Sequence, residues 1–253
     1  HSSPTRRSSD LEELTDHWAD KEWWRGRITH RINKPIHRRL PNDGHEVVAD
    51  DWDNLVILDA CRADLFEEVV DIDRYDSYTR KNSVASSTPG WVSHHFAGDE
   101  FPELVYVTGN PQIPKHAPGA FHHVENVWQT DHFEELGSVP PETIREATLQ
   151  THADYPNKRL VVNFMQPHQP FLGVFPELSK NPFHALRDGD LTKAEVWDGY
   201  RENLKCTLPA IETLLTELPG RTMVTSDHGN LLGERIYPVP VREYGHPPDL
   251  HHP

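Results

Sequence analysis

Three short apolar runs constrain this chain more than any other feature. They are Asn54 to Leu58, the run within KRLVVNFMQPHQPF (158–171), and Thr222 to Thr225. None alternates apolar with polar, which is the pattern of a strand buried on both faces of a sheet. Each run stops on a residue that carries chemistry: Asp59, Pro167-His168, and Asp227-His228. ELVYVTGNP (103–111) and FHHVENVWQ (121–129) read as further strands, and RTMVTSDHGN as the last clear one. Helical segments lie between them. Thr88-Pro89 and PPETIREATLQTHADY (140–155) open with proline at the first helical turn. Residues 192–220 read as two helical stretches joined at Pro209. The alternation predicts an α/β fold: a mostly parallel central sheet with helices on both faces. In such a sheet all the carboxyl ends share one edge, where ligands bind.

A single Asp-His-Gly is an ordinary turn. Three separate strands ending in Asp or His are another matter, because the topology gathers their ends. Asp59, Asp227 and His228 form a hard-to-borderline donor set suited to Zn²⁺ or Mn²⁺. SSTPGW (86–91) brings hydroxyls to the start of a helix, where free N–H groups and the dipole favour an anion. Taken singly, Ser86, Ser87 and Thr88 read as helix caps.

These motifs, in this order, resemble the alkaline phosphatase and sulfatase superfamily over about residues 54 to 248, and most of all its sulfatase-like branch of hydrolases and transferases. NLVILDACRADLF resembles the opening strand, with its metal-binding Asp (Asp59) followed by Arg62 and Asp64. SSTPGW resembles the nucleophile turn, in which Cys, Ser or Thr stands two residues before Pro. That implies Ser87 as nucleophile, with Thr88 as the alternative. MQPHQPF implies that His168 helps hold an anionic group, VTSDHGNLLGE implies the metal pair Asp227 and His228, and YGHP (244–247) implies His246 near the transferred group. YRENL (200–204) resembles the helix before the Asp-His strand. The family implies a three-layer sandwich.

Three departures refine the expectation. The formylglycine pattern Cys-x-Pro-x-Arg is replaced by Ser87-Thr88-Pro89-Gly90-Trp91, which argues against a formylglycine sulfatase. The paired Asp of the calcium-type site is replaced by Asp59-Ala60. The Asp that a two-zinc phosphatase places four residues before the His is Phe164 here. The pattern left is one divalent ion, Zn or Mn, on Asp59, Asp227, His228 and Ser87, with His168 and His246 facing the transferred oxyanion. A second ion would need a further ligand.

Composition bears on partners. Asp plus Glu number 40 against 25 Lys plus Arg, giving a net charge of −15, so nucleic acid is disfavoured. Arginine outnumbers lysine 17 to 8, and acid excess with scarce lysine suits a high-salt cytoplasm. Cys61 and Cys206 form no CxxC pair and read as small core residues. No run is long enough to span a membrane and no signal pattern opens the chain, so a cytoplasmic protein is expected; the opening His leaves room for a signal upstream. Residues 1–45 read as a partly helical extension and 46–253 as the catalytic domain. In the extension, HWADKEWWRGRITHRINKPIHRRL (17–40) reads first as a helix whose tryptophans pack on the domain, and second as a peripheral membrane contact. The histidines of HHF (94–96), FHH (121–123) and HHP (251–253) read either as surface residues or as metal binders.

The function expected is a metal-dependent hydrolase or transferase of phosphate or sulfate esters on small molecules, glycans or lipids, working through a covalent seryl ester. The alternative is a catalytically inactive sulfatase-like protein that binds or scaffolds surface-glycan or lipid head-group machinery.

Overall fold

The computed structural model describes residues 13–129, 137–172, 181–247 and 250; the histidines at 251–253 lie outside them. The chain enters through helix α1 (Lys21–Ile28), a π-helical turn (Thr29–Asn33) and the short α2 (Lys34–His37). Strand β1 (Asn54–Asp59) feeds α3 (Ala63–Val69). Helix α4 (Thr88–Phe96) precedes β2 (Phe101–Thr108), and α5 (Gln112–His116) precedes β3 (Phe121–Asn126). Next come α6 (Pro141–Asp154), β4 (Arg159–Pro167), α7 (Pro182–Asp188), α8 (Lys193–Glu217) and β5 (Thr222–Ser226). The hairpin β6 (Leu231–Ile236) and β7 (Val241–Gly245) follows.

Strands β1 to β5 form one all-parallel sheet in the order β3-β2-β4-β1-β5. β1 lies inside it, between β4 and β5, and all six of its residues are buried. Its side chains divide by parity. Val56 and Leu58 join Val105, Val107, Val162 and Phe164 against Ile144 of α6 and Tyr200, Leu204, Ile211 and Leu214 of α8. Leu55 and Ile57 join Leu104, Tyr106 and Val161 against Trp91, Val92 and Phe96 of α4. Both sets are apolar because both are buried, and that is why the runs do not alternate. Each fully buried Leu, Ile, Val or Phe contributes roughly 1.5–3 kcal/mol.

Three expectations are corrected. Residues 193–217 form one helix with Pro209 inside it, not two joined there. A capping box at Thr192 and Glu195 starts α8, and buried residues on both sides of Pro209 (Leu204, Thr207, Ala210, Ile211) hold it against the sheet. That packing outweighs the one hydrogen bond the proline removes. β5 is not the last strand, since the β6–β7 hairpin follows it. Finally, α1 buries none of its residues. Trp18 is 75% exposed; Trp23 stacks on His17 and meets Trp24 edge-on, and Arg27 lies over its ring. The helical entry segment docks through polar contacts instead. Arg25 and Thr29 both hydrogen-bond the buried Glu243 of β7, and Asn33 exchanges two hydrogen bonds with Val239. No described helix is long and apolar enough to cross a membrane.

Candidate metal centre

The parallel register delivers the strand ends to one place. Leu58 pairs with Ser226, so Asp59 and Asp227 leave adjacent strands side by side. His168 N–H donates to Asp59 O at 3.0 Å, which aligns the exit of β4 with the same edge. Ala60 takes a left-handed backbone (φ 60), and its N–H donates to Asp227 Oδ1 at 2.9 Å. The N–H of His228 donates to that same oxygen, also at 2.9 Å. One oxygen of Asp227 is thus held by the backbone, while Oδ2 faces the cluster.

There, Asp59, Asp227 and His228 are all buried, with candidate ligand atoms within 4.8 Å of one another. His228 Nε2 lies 3.5 Å from Asp59 Oδ1 and 3.6 Å from Asp227 Oδ2. Tetrahedral ligands about 2.0 Å from a zinc ion stand about 3.3 Å apart, so the spacing fits such an ion. Asp59 Oδ2 accepts from Asn110 Nδ2 at 2.7 Å, but Asp59 Oδ1 is buried with no hydrogen-bond partner. Burial, and then the charge of Asp227, push the Asp59 carboxyl well above its usual range; the hydrogen bond from Asn110 and the nearby Thr88 hydroxyl offset this only in part. An unpaired buried carboxylate costs several kcal/mol, a cost that a cation bound by this donor set could offset.

The hydroxyl that meets the cluster belongs to Thr88. Its Oγ1 donates to Asp227 Oδ2 at 2.7 Å and lies 3.4 Å from His228 Nε2. Ser87, expected to point at the two aspartates, is the residue before α4 and makes no capping hydrogen bond. The helix does begin at Thr88, so the expected turn is present and its first helical hydroxyl faces the carboxylates.

His168 and His246 come together next to this cluster. His168 Nε2 and His246 Nδ1 are 3.4 Å apart, and the His246 ring centre is 5.1 Å from that of His228. Burial holds both neutral: His168 is lowered to about 4, further by His228, and His246 to about 3, further by His168 and His228. Phe164 is fully buried in the core, so it supplies no further ligand.

Arg62 is committed to structure. It grips Asp64 through Nε and Nη2 at 2.9 and 2.7 Å, and its Nη1 donates to Asn230 O and Glu234 Oε1. It therefore ties the exit of β1 to the chain beyond β5. Three asparagines carry parts of the site that the motifs did not mark. Asn110 orients Asp59. Asn230 Oδ1 faces His246 Nδ1 at 3.2 Å, and its buried Nδ2 has no partner. Asn203 of α8 donates to the carbonyls of Pro167 and His168 at 3.1 and 2.8 Å. The signal for Asn110 is its place two residues after the end of β2, near the edge where Asp59 ends β1.

An open groove of about 1700 Å³ runs up to the site, bordered there by Arg62, Ser83, Ser86, His228 and Asn230. No family model, curated protein or solved structure matches the chain.

Proposed function

We propose that this protein is a metal-dependent hydrolase or transferase of phosphate or sulfate esters, built as the three-layer sandwich of the sulfatase-like branch, with Thr88 as nucleophile. One observation carries it: Asp59, Asp227 and His228 are buried together, Asp59 Oδ1 has no partner, and a threonine hydroxyl at a helix start is directed at them. Asp59, Asp227 and His228 would hold the ion, Zn²⁺ or Mn²⁺. When bound, it would supply Lewis-acid charge that favours the alkoxide form of a hydroxyl and offsets the charge of the ester oxygens.

The remaining roles fall to the chain itself. Asp227 orients Thr88 Oγ1 through their 2.7 Å hydrogen bond. The N-terminus of α4 adds positive potential at that oxygen. The free Nδ2 of Asn230 offers an N–H donor to the oxyanion; His168, with Nδ1 2.7 Å from the Gln169 carbonyl, and His246, with Nδ1 3.2 Å from Asn230 Oδ1, would each donate from Nε2 only as the imidazolium. In the transfer step the Thr88 Oγ1 bond to phosphorus or sulfur forms, the bond to the leaving alcohol oxygen breaks, and the hydroxyl proton ends on that alcohol. Water or an acceptor alcohol then resolves the threonyl ester.

The test compares turnover of aryl phosphate, aryl phosphodiester and aryl sulfate by wild type, Ser87→Ala and Thr88→Val. Thr88→Val should lose on the order of 10³ or more in rate while still binding metal. Ser87→Ala should keep most of it. Intact-mass measurement should trap the ester on the peptide containing Thr88. The opposite pattern would move the nucleophile to Ser87. Indifference of every ester to both changes would leave the inactive, binding alternative.

A further inference from the structure

A second cluster sits at the other end of α4. His94 and His95 occupy the last turn of that helix, and Glu46 reaches them from the segment before β1. His94 Nε2 is 2.7 Å from Glu46 Oε1, and His95 Nδ1 is 3.5 Å from Glu46 Oε2. One ligand atom from each of the three lies within 4.8 Å of the others. Two of the side chains are open to water, His94 at 36% and Glu46 at 58%, but that of His95 is only 1% exposed. An imidazole needs one donated and one accepted hydrogen bond. His95 Nε2 is buried without a partner, and its Nδ1 meets Glu46 at a distance too long for a strong bond. An ion pair between His94 and Glu46 would account for those two residues. The third donor, His95, is buried edge-on against Trp91, with ring centres 4.5 Å apart, and turns its Nδ1 to the same carboxylate.

We propose that Glu46, His94 and His95 form an accessory site for a borderline divalent cation such as Zn²⁺, separate from the centre at Asp59, Asp227 and His228. The donor set, two imidazoles and one carboxylate, suits zinc and its neighbours better than calcium or magnesium. Water completes the shell on the exposed side. A cation there also meets the negative end of the helix dipole, where the last carbonyls of α4 lack partners. His45, beside Glu46 in sequence, is engaged with Asp50 Oδ2 at 2.6 Å. The ion would link α4 to the segment before β1 across 48 residues of chain. It would thereby fix the helix whose first residue is Thr88. The proposal stands whether or not Thr88 is a nucleophile.

The experiment counts tightly held zinc after dialysis against a competing chelator, by elemental analysis, for wild type, Asp227→Asn, His94→Ala and Glu46→Gln, and for Asp227→Asn combined with each of the last two. Co²⁺ substitution adds visible spectra that separate the two ligand sets. His94 and Glu46 are exposed, so their replacement leaves the core untouched. Wild type should hold two ions, Asp227→Asn one, His94→Ala one, and the double variants none. Zinc should raise the melting temperature of Asp227→Asn by a few degrees at about 100-fold excess over Kd, and that rise should vanish with His94→Ala. If Asp227→Asn holds no zinc, or its zinc survives both His94→Ala and Glu46→Gln, there is no accessory site. If instead Asp227→Asn changes nothing and His94→Ala removes an ion, the accessory site stands and the centre at Asp227 falls.

Discussion

Asp59 shows how much one side chain is asked to do. It ends the interior strand β1, is buried, and has one oxygen held by Asn110 at 2.7 Å and the other unpartnered. The amide of Asn110 therefore decides which way the free oxygen faces. Partners of this kind typically contribute 10–100-fold to metal affinity. Asn110→Ala should weaken zinc binding by about that factor while the far-ultraviolet circular dichroism stays unchanged. Chelator competition measures it, and unchanged affinity would mean that Asp59 is oriented by its backbone alone. At this scale the sequence was only partly legible. Asp59, Asp227 and His228 could be read because an apolar run that stops on a charged residue is a local pattern. Ser87 and Thr88 are both hydroxyls beside Pro89, so the sequence leaves the choice between them open, and in the fold it is Thr88 whose hydroxyl reaches Asp227 Oδ2. Asn110 follows Gly109 and looked like turn punctuation.

Among the elements, α8 matters most to the site it never enters. Its Asn203 is fully buried, and besides Pro167 and His168 it serves Leu172, whose N–H donates to Asn203 Oδ1 at 3.0 Å. One amide thus holds the turn that carries His168. Asn203→Leu should strand those carbonyls and, for the ester turnover proposed above, lower kcat more than it raises KM. An effect confined to KM would assign Asn203 to binding instead of positioning. The same helix contains a removable defect. Pro209 is exposed, so Pro209→Ala restores a backbone donor without disturbing packing. Proline costs a helix interior about 3 kcal/mol, offset in part by the stiffness it gives the unfolded chain. A gain of roughly 1–2 kcal/mol is expected, a few degrees in Tm; a lower Tm in calorimetry would show that α8 needs its proline. The proline rule misled the sequence reading here because a local rule has no term for the buried face on either side of it. The β6–β7 hairpin escaped for the converse reason. LLGERI and VREYG carry glycine and charge, and their pairing comes from contacts with each other and with the helical entry segment.

For the whole molecule, charge sets the terms. A net charge of −15 repels itself, and molar salt screens that repulsion. Tm should rise between 0.1 M and 2 M KCl; a fall would mean that the surface ion pairs outweigh the net charge. One ion pair should stand apart. Glu243 is 4% exposed against Arg25 at 22%, so Arg25→Ala leaves a buried carboxylate with only Thr29 and should cost on the order of 2–4 kcal/mol. Urea unfolding measures it, and a loss below about 0.5 kcal/mol would place this pair with ordinary surface bridges. The sheet order carries a consequence of another kind. β1 has a neighbour on either side, whereas β5 ends the sheet and, among the described residues, has β1 alone. In a strand, successive N–H groups point to opposite sides. Amide deuteration along Met223, Val224 and Thr225 should therefore alternate slow and fast, while along Val56, Ile57 and Leu58 it should be uniformly slow. The two aspartates then hang from supports of unequal stiffness: Asp59 from a clamped strand, Asp227 from one free to breathe along its outer side.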